Sequence, residues 1–226
     1  MLDWIGPAMV IAAKDLRLEM RTKSILSSVG LFALLVVVVA SFSFPATGAG
    51  KNGVAAGLLW MSFLFSSLLG MGRSFSLEDE EACIEGLMAS PAPRESIYLG
   101  KLLANLLFIG AVEAVVLPAF LILFQLEPGR GIPLLALTAF LGTLGIVALG
   151  TLFSAMAVKT RTREAILPLL VMPLCVPIVI AAVKATETAL GGAALSASAS
   201  WLYLLAGFDA LLVTVGLAAF PYVLDE

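Results

Sequence analysis

The chain has 226 residues, 61% of them hydrophobic and 13% charged, with no histidine, two cysteines and a net charge of −3. Together with a mean hydropathy of +1.07, this composition excludes a soluble globular domain. The missing histidine excludes a His-ligated metal or haem, a His-based catalytic triad and a histidine proton relay within this chain.

Residues 1–23 are not a cleavable signal peptide, because Lys14 to Lys23 interrupt what apolar stretch there is. At helical spacing Ile5, Met9, Ala12, Leu16 and Met20 gather on one side, with Lys14, Arg17 and Arg21 opposite. Asp3 can cap such a helix, and Pro7 is tolerated in its first turn. A basic amphipathic helix just before an apolar run reads as an interfacial helix on the cytoplasmic leaflet. The alternative is a charged lead-in that only fixes orientation.

Six apolar runs follow, at residues 24–44, 53–72, 102–126, 132–158, 165–183 and 201–224. Each is 19 to 27 residues long, and a helix crossing the roughly 30 Å hydrocarbon core needs about 20. Lys and Arg alternate between the gaps. Ten of the 13 lie in the first, third and fifth: Lys14, Arg17, Arg21 and Lys23, then Arg73, Arg94 and Lys101, then Lys159, Arg161 and Arg163. The other gaps hold only Lys51, Arg130 and Lys184. The basic gaps face the cytoplasm by the positive-inside rule, so the expectation is an all-α membrane protein of six spans with both termini inside.

Residues 73–101 form the only substantial cytoplasmic loop. Ser76 and Asp79 have capping-box spacing, and Glu78 to Glu81 suit the positive end of a helix. Leu77, Ile84, Leu87 and Met88 fall on or near one face, and Pro91 and Pro93 stop the helix. The loop is therefore expected to carry a short amphipathic helix with an acidic start. In the fifth run Pro168, Pro173 and Pro177 each remove a backbone hydrogen bond, so this span is expected to be kinked or broken. Residues 184–200, rich in Ala, Gly and Ser, are expected outside as a short helical piece or a flexible loop.

Glu113 falls in the middle of the third run. A charged carboxylate at that depth costs on the order of 2.5–3.5 kcal/mol, so it must face a cavity, a hydrogen-bonding partner or a subunit seam. Asp209 is either a second membrane carboxylate or an N-cap where a broken last helix resumes, and the nearby Gly207 favours the cap. Two membrane carboxylates raise the idea of an intramembrane aspartyl hydrolase, but the YD and GxGD sequences of that class are absent. The Walker A pattern is absent too: Gly100-Lys101 is followed by Leu and lacks the upstream glycine. No catalytic residue and no metal site are expected. Cys83 and Cys175 lie in different environments and form neither a disulfide nor a thiolate cluster.

Leu77 to Lys101, LEDEEACIEGLMASPAPRESIYLGK, resembles the first cytoplasmic loop of ABC-2-type permease subunits. KDLRLEMRTK (14–23), GMGRSFSLEDE (70–80), YLGKLLANLLF (98–108), TRTREAILPLLVMPLCVPIVIAAVKATE (160–187) and GFDALLVTVG (207–216) with the ending YVLDE extend the match. Together they resemble the haem exporter protein B (CcmB) family of cytochrome c maturation, over nearly the whole chain. Ala82-Cys83 departs from the glycine and small residue found in many relatives.

The resemblance implies a loop docked on a partner ATPase through Glu81, Ile84, Glu85, Leu87 and Met88, with Pro91 and Arg94 in the turn. It also implies a homodimer in the bacterial inner membrane. Its partners would be an ATPase subunit (CcmA-like), a haem-handling membrane subunit (CcmC-like), a one-span subunit (CcmD-like) and a haem chaperone (CcmE-like). ATP and Mg would bind the ATPase, haem would belong to the complex, and no cofactor would be held by this chain; no nucleic-acid partner is expected. A generic ABC-2 permease exporting a lipid, drug or polysaccharide would share the coupling loop.

Overall fold

The computed structural model describes residues 4–44, 50–80, 93–157 and 163–225. Among them are seven α-helices: α1 (Ile5–Thr22), α2 (Ser24–Ser43), α3 (Lys51–Glu80), α4 (Arg94–Leu123), α5 (Ile132–Ala157), α6 (Arg163–Leu190) and α7 (Ala199–Asp225). Short 3₁₀ turns at Gly129–Gly131 and Leu195–Ser198 precede α5 and α7. All the helices but α1 are long and apolar enough to cross a membrane.

The helix α5 forms the centre of the bundle, packing on α3, α4, α6 and α7. Its sequence is apolar on nearly all sides, as suits a helix packed on four others in a membrane; Leu134, Ile146 and Val147 are fully buried, while Leu137 and Phe140 stay exposed. Glycines set how closely its neighbours approach. Gly142 lies directly under the Trp60 ring of α3 and Gly150 under the Met71 side chain, while a Cβ on Gly145 would lie 2.6 Å from Asp209 Oδ1. Small residues at these positions let bulky groups reach the backbone, and dispersion contacts then hold helices that lipid alone would not drive together. Trp60 is further fixed by its Nε1–H, which donates to Thr186 Oγ1 of α6 at 2.9 Å.

The peripheral helices carry the apolar surface. Leu31, Leu35, Val39 and Phe42 of α2 are exposed, as are Tyr203, Leu211, Val215 and Tyr222 of α7. Such a continuous apolar exterior is stable against lipid and not against water.

Contacts at the two ends of the bundle bring α1 and the last turns of α7 to one side. Asp15 meets Lys101 and Arg94 meets Pro221 at that end. At the opposite end Gly131 packs on the Ala189 carbonyl, and Gly53 lies against Glu187.

Four local expectations are corrected. The helix α3 continues through residues 73–80 as one 30-residue element, so Ser76 does not begin a new helix. Nothing in RSFSLEDE breaks a helix, and capping-box spacing without a preceding breaker is overridden by propagation. At about 1.5 Å per residue α3 is about 45 Å long and extends beyond the roughly 30 Å core. The last helix is likewise continuous through Gly207 and Asp209, which removes the N-cap reading of Asp209.

At Pro168, Pro173 and Pro177 the expectation was a kink or a break, and the break does not occur: α6 is helical from Arg163 to Leu190. Lipid offers an interrupted backbone no substitute hydrogen bonds, so the helix is kept despite the lost donors. Lys184 and Glu187, expected outside the span in a short helical piece or a flexible loop, lie in the last turns of α6 itself, where they form an ion pair of 3.0 Å.

The helix α1 shows a second face beside the apolar set read in the sequence. The face it buries is Ala8, Ile11, Ala12, Asp15 and Glu19, which shares Ala12 with that set. Ile5, Met9 and Met20 are exposed.

Candidate functional site

The described residues concentrate their polar contacts in the first three turns of α4, immediately after the loop singled out in the sequence. Arg94 opens the helix, and its Nη1 donates to the carbonyl of Pro221 in α7 at 3.1 Å. A cation near the C-terminal end of a helix is favourable because it meets the negative end of the helix dipole. One turn later Tyr98, fully buried, donates its hydroxyl to the Ala148 carbonyl of α5 at 3.2 Å. Its ring packs 5.5 Å from that of Phe220 and above Gly216 of α7. Asn105 Nδ2 donates to Thr151 Oγ1 of α5 at 3.1 Å.

Between these lies Lys101. It is 1% exposed, and its Nζ sits 2.9 Å from Asp15 Oδ2 of α1, an ion pair rather than a directed hydrogen bond. Lys14 Nζ approaches the other oxygen of Asp15 at 3.2 Å. The helices reach this distance because Gly100 has no side chain: a Cβ there would lie 2.8 Å from the Ala8 carbonyl oxygen and from Ile11 Cβ. One turn beyond Asp15, Glu19 Oε1 accepts the Leu26 N–H at 2.7 Å and so satisfies an open donor at the start of α2. The α1–α2 corner itself turns on Lys23, whose φ is +52°. The start of α4 is thereby tied to α1, α5 and α7, and through α1 to α2.

Of the docking residues read from the sequence, Glu81, Ile84, Glu85, Leu87, Met88 and Pro91 lie outside the described residues. Arg94 lies inside them and bonds within the chain. Sequence reasoning missed Lys101, Asp15, Tyr98 and Asn105 as a group. A signal existed for Lys101: a lone lysine abutting a 25-residue apolar run needs a carboxylate nearby.

The two membrane carboxylates flank α5. Glu113 is 6% exposed and accepts the Thr143 hydroxyl at 2.5 Å. Asp209 is 4% exposed, lies against Gly145, and neither carboxyl oxygen has a hydrogen-bond partner among the described residues. Glu113 is ten residues from the end of α4 and Asp209 ten from the start of α7, about 15 Å by helical rise. Both therefore lie near mid-depth, on α4 and α7, against positions 143 and 145 of α5. Among the described residues no three of His, Cys, Asp or Glu converge to hold a metal ion.

Six spanning helices, one of them a glycine-notched central helix, wired together at one end, define a multi-pass membrane protein. Residues 7–225 match the family model described as CcmB protein, and the chain belongs to that family. It is 33% identical to heme exporter protein B of Paracoccus denitrificans over 180 residues, 80% of this chain and 82% of the relative. It is 30% identical to heme exporter protein B of Rhodobacter capsulatus over 210 residues, 93% and 94% of the two chains. The protein of the same name in Pseudomonas aeruginosa is 28% identical over an equal length.

Proposed function

We propose that this chain is the permease subunit of an ABC-type complex for haem export in cytochrome c maturation, set in the bacterial inner membrane. Family membership and the name of the relatives support haem as the cargo of the complex. ATP is hydrolysed by a separate CcmA-like ATPase subunit. Two copies of this chain supply the two halves of the transporter, alongside CcmC-like and CcmD-like membrane subunits, and the output is release of a haem-loaded CcmE-like chaperone.

The observation that carries a coupling role is the wiring of α4. A load applied to the loop of residues 81–92 enters the bundle at Arg94, and within three turns that helix is bonded to α7, α5 and α1. Glu81, Ile84, Glu85, Leu87 and Met88 form the docking surface and Pro91 its turn. Arg94 is a clamp behind that surface, not part of it. Basic residues concentrated at this end support a cytoplasmic placement.

The test is purification through a tag on this chain from its native membrane. An ATPase subunit, a haem-handling membrane subunit and a haem absorption spectrum are expected in the eluate. An ATPase with no haem-handling subunit and no haem would instead mark an exporter of some other cargo.

A further inference from the structure

The helix α1 divides its residues among three faces, and the structure uses only one of them. Ala8, Ile11, Ala12, Asp15 and Glu19 are buried, mainly against α4. Next around the helix come Ile5, Met9 and Met20, which are 50%, 57% and 72% exposed. Beyond them lie Arg17, Arg21 and Lys14, all exposed, with Val10 among them.

The acids decide the charge of the outer surface. Asp15 and Glu19 are the only carboxylates in α1, and both are turned inward: Asp15 faces Lys101, and Glu19 holds the Leu26 N–H. The outward surface is therefore purely cationic. Neither Arg17 nor Arg21 has an ion pair among the described residues.

From this arrangement we infer that α1 is a binding surface for anionic phospholipid headgroups. Arg17 and Arg21 are the contacts to phosphate, and Ile5, Met9 and Met20 sit in the acyl region beside the spans. An apolar strip bordered by a cationic strip on one helix matches the two layers of a leaflet surface, whereas an acidic protein partner would leave the apolar strip without a counterpart. The Asp15–Lys101 ion pair fastens this lipid-bound helix to the start of α4, so headgroup binding holds the element that receives load from the loop. The inference depends on membrane insertion and not on the identity of the cargo.

The experiment is a lipid titration of the delipidated complex, purified with the full chain, followed by native mass spectrometry with phosphatidylglycerol and, separately, phosphatidylcholine. Each basic residue near an anionic surface contributes about fivefold in affinity, or about 1 kcal/mol. The variant R17Q/R21Q is therefore expected to weaken the tightest phosphatidylglycerol binding by roughly 25-fold. Phosphatidylcholine binding should not move, and R17K/R21K should retain most of the affinity. Unchanged phosphatidylglycerol binding in R17Q/R21Q, or an equal loss for both lipids, would overturn the inference. Loss of a co-purifying protein subunit with lipid binding intact would overturn it as well, by showing that an acidic protein surface is the occupant.

Discussion

Replacing Lys101 with Met removes the cation that balances Asp15, and the structure sets the size of the effect. Asp15 is 8% exposed and Lys101 1% exposed, so neither charge is well hydrated. Breaking such a pair from one side costs about 3–5 kcal/mol, because the other charge stays buried without its partner. For Lys101→Met the loss should fall at the low end, about 3 kcal/mol, since Lys14 remains at 3.2 Å from the same carboxylate. Lys14 is 44% exposed, and a pair of that kind recovers at most about 1 kcal/mol. Asp15→Asn removes the carboxylate 2.9 Å from Lys101, so about 4 kcal/mol is expected. Additive behaviour would make the double variant about 7 kcal/mol less stable. An uncharged pair in the same space should instead lie within about 2 kcal/mol of the parent. Equilibrium unfolding in mixed micelles, followed by circular dichroism, measures all four proteins of the cycle. A double variant as unstable as the sum of the singles would refute the ion-pair account, as would a Lys101→Met protein indistinguishable from the parent.

Gly142→Ala should cost about 1–3 kcal/mol, because the Trp60 ring beneath it is fixed to Thr186 and cannot move aside. Gly150→Ala should cost less than half of that, since flexible Met71 can withdraw, and the same unfolding assay ranks the two. Asp209→Ala should raise stability by about 1–3 kcal/mol by removing a buried carboxyl group with no partner among the described residues; a large loss would reveal a partner beyond them. Arg94→Ala should lower stability by about 1–3 kcal/mol through the Pro221 carbonyl, yet leave the ATPase subunit co-purifying. Loss of the ATPase at unchanged stability would return Arg94 to the docking surface.

The spans were legible because a long apolar run has few alternatives to a membrane helix. Residues 132–158 became α5 and 24–44 became α2 within a residue. The ends of α3 and α6 were not legible from hydropathy, which falls at the membrane surface while the helix carries on. Phe75 and Leu77 of α3, and Lys184 and Glu187 of α6, belong to helices that outlast their apolar stretches. The preference for a cap at Asp209 failed for a related reason. A glycine and an aspartate two residues apart form a local cap signal, and in lipid the continuous backbone ladder outweighs it.

The clustering at the start of α4 was hidden because its members are distant in sequence. Asp15, Ala148 and Pro221 reach Lys101, Tyr98 and Arg94 only once α1, α5 and α7 are packed around the start of α4. The buried face of α1 was not legible because Asp15 and Glu19 look like surface residues, whereas the fold uses both as internal partners for groups on α4 and α2.

The central claim is that the loop following α3 receives force from an ATPase and α4 carries it inward. Charge reversal of the docking surface, Glu81→Lys with Glu85→Lys, tests it most directly in membranes containing the whole complex. The measured quantity is ATP-dependent release of the haem-loaded chaperone, with the ATPase retained on the complex scored in parallel. Release should fall to background and the ATPase should be lost, while this chain stays in the membrane at its normal level. Undiminished ATP-dependent release from the doubly reversed protein would contradict the account.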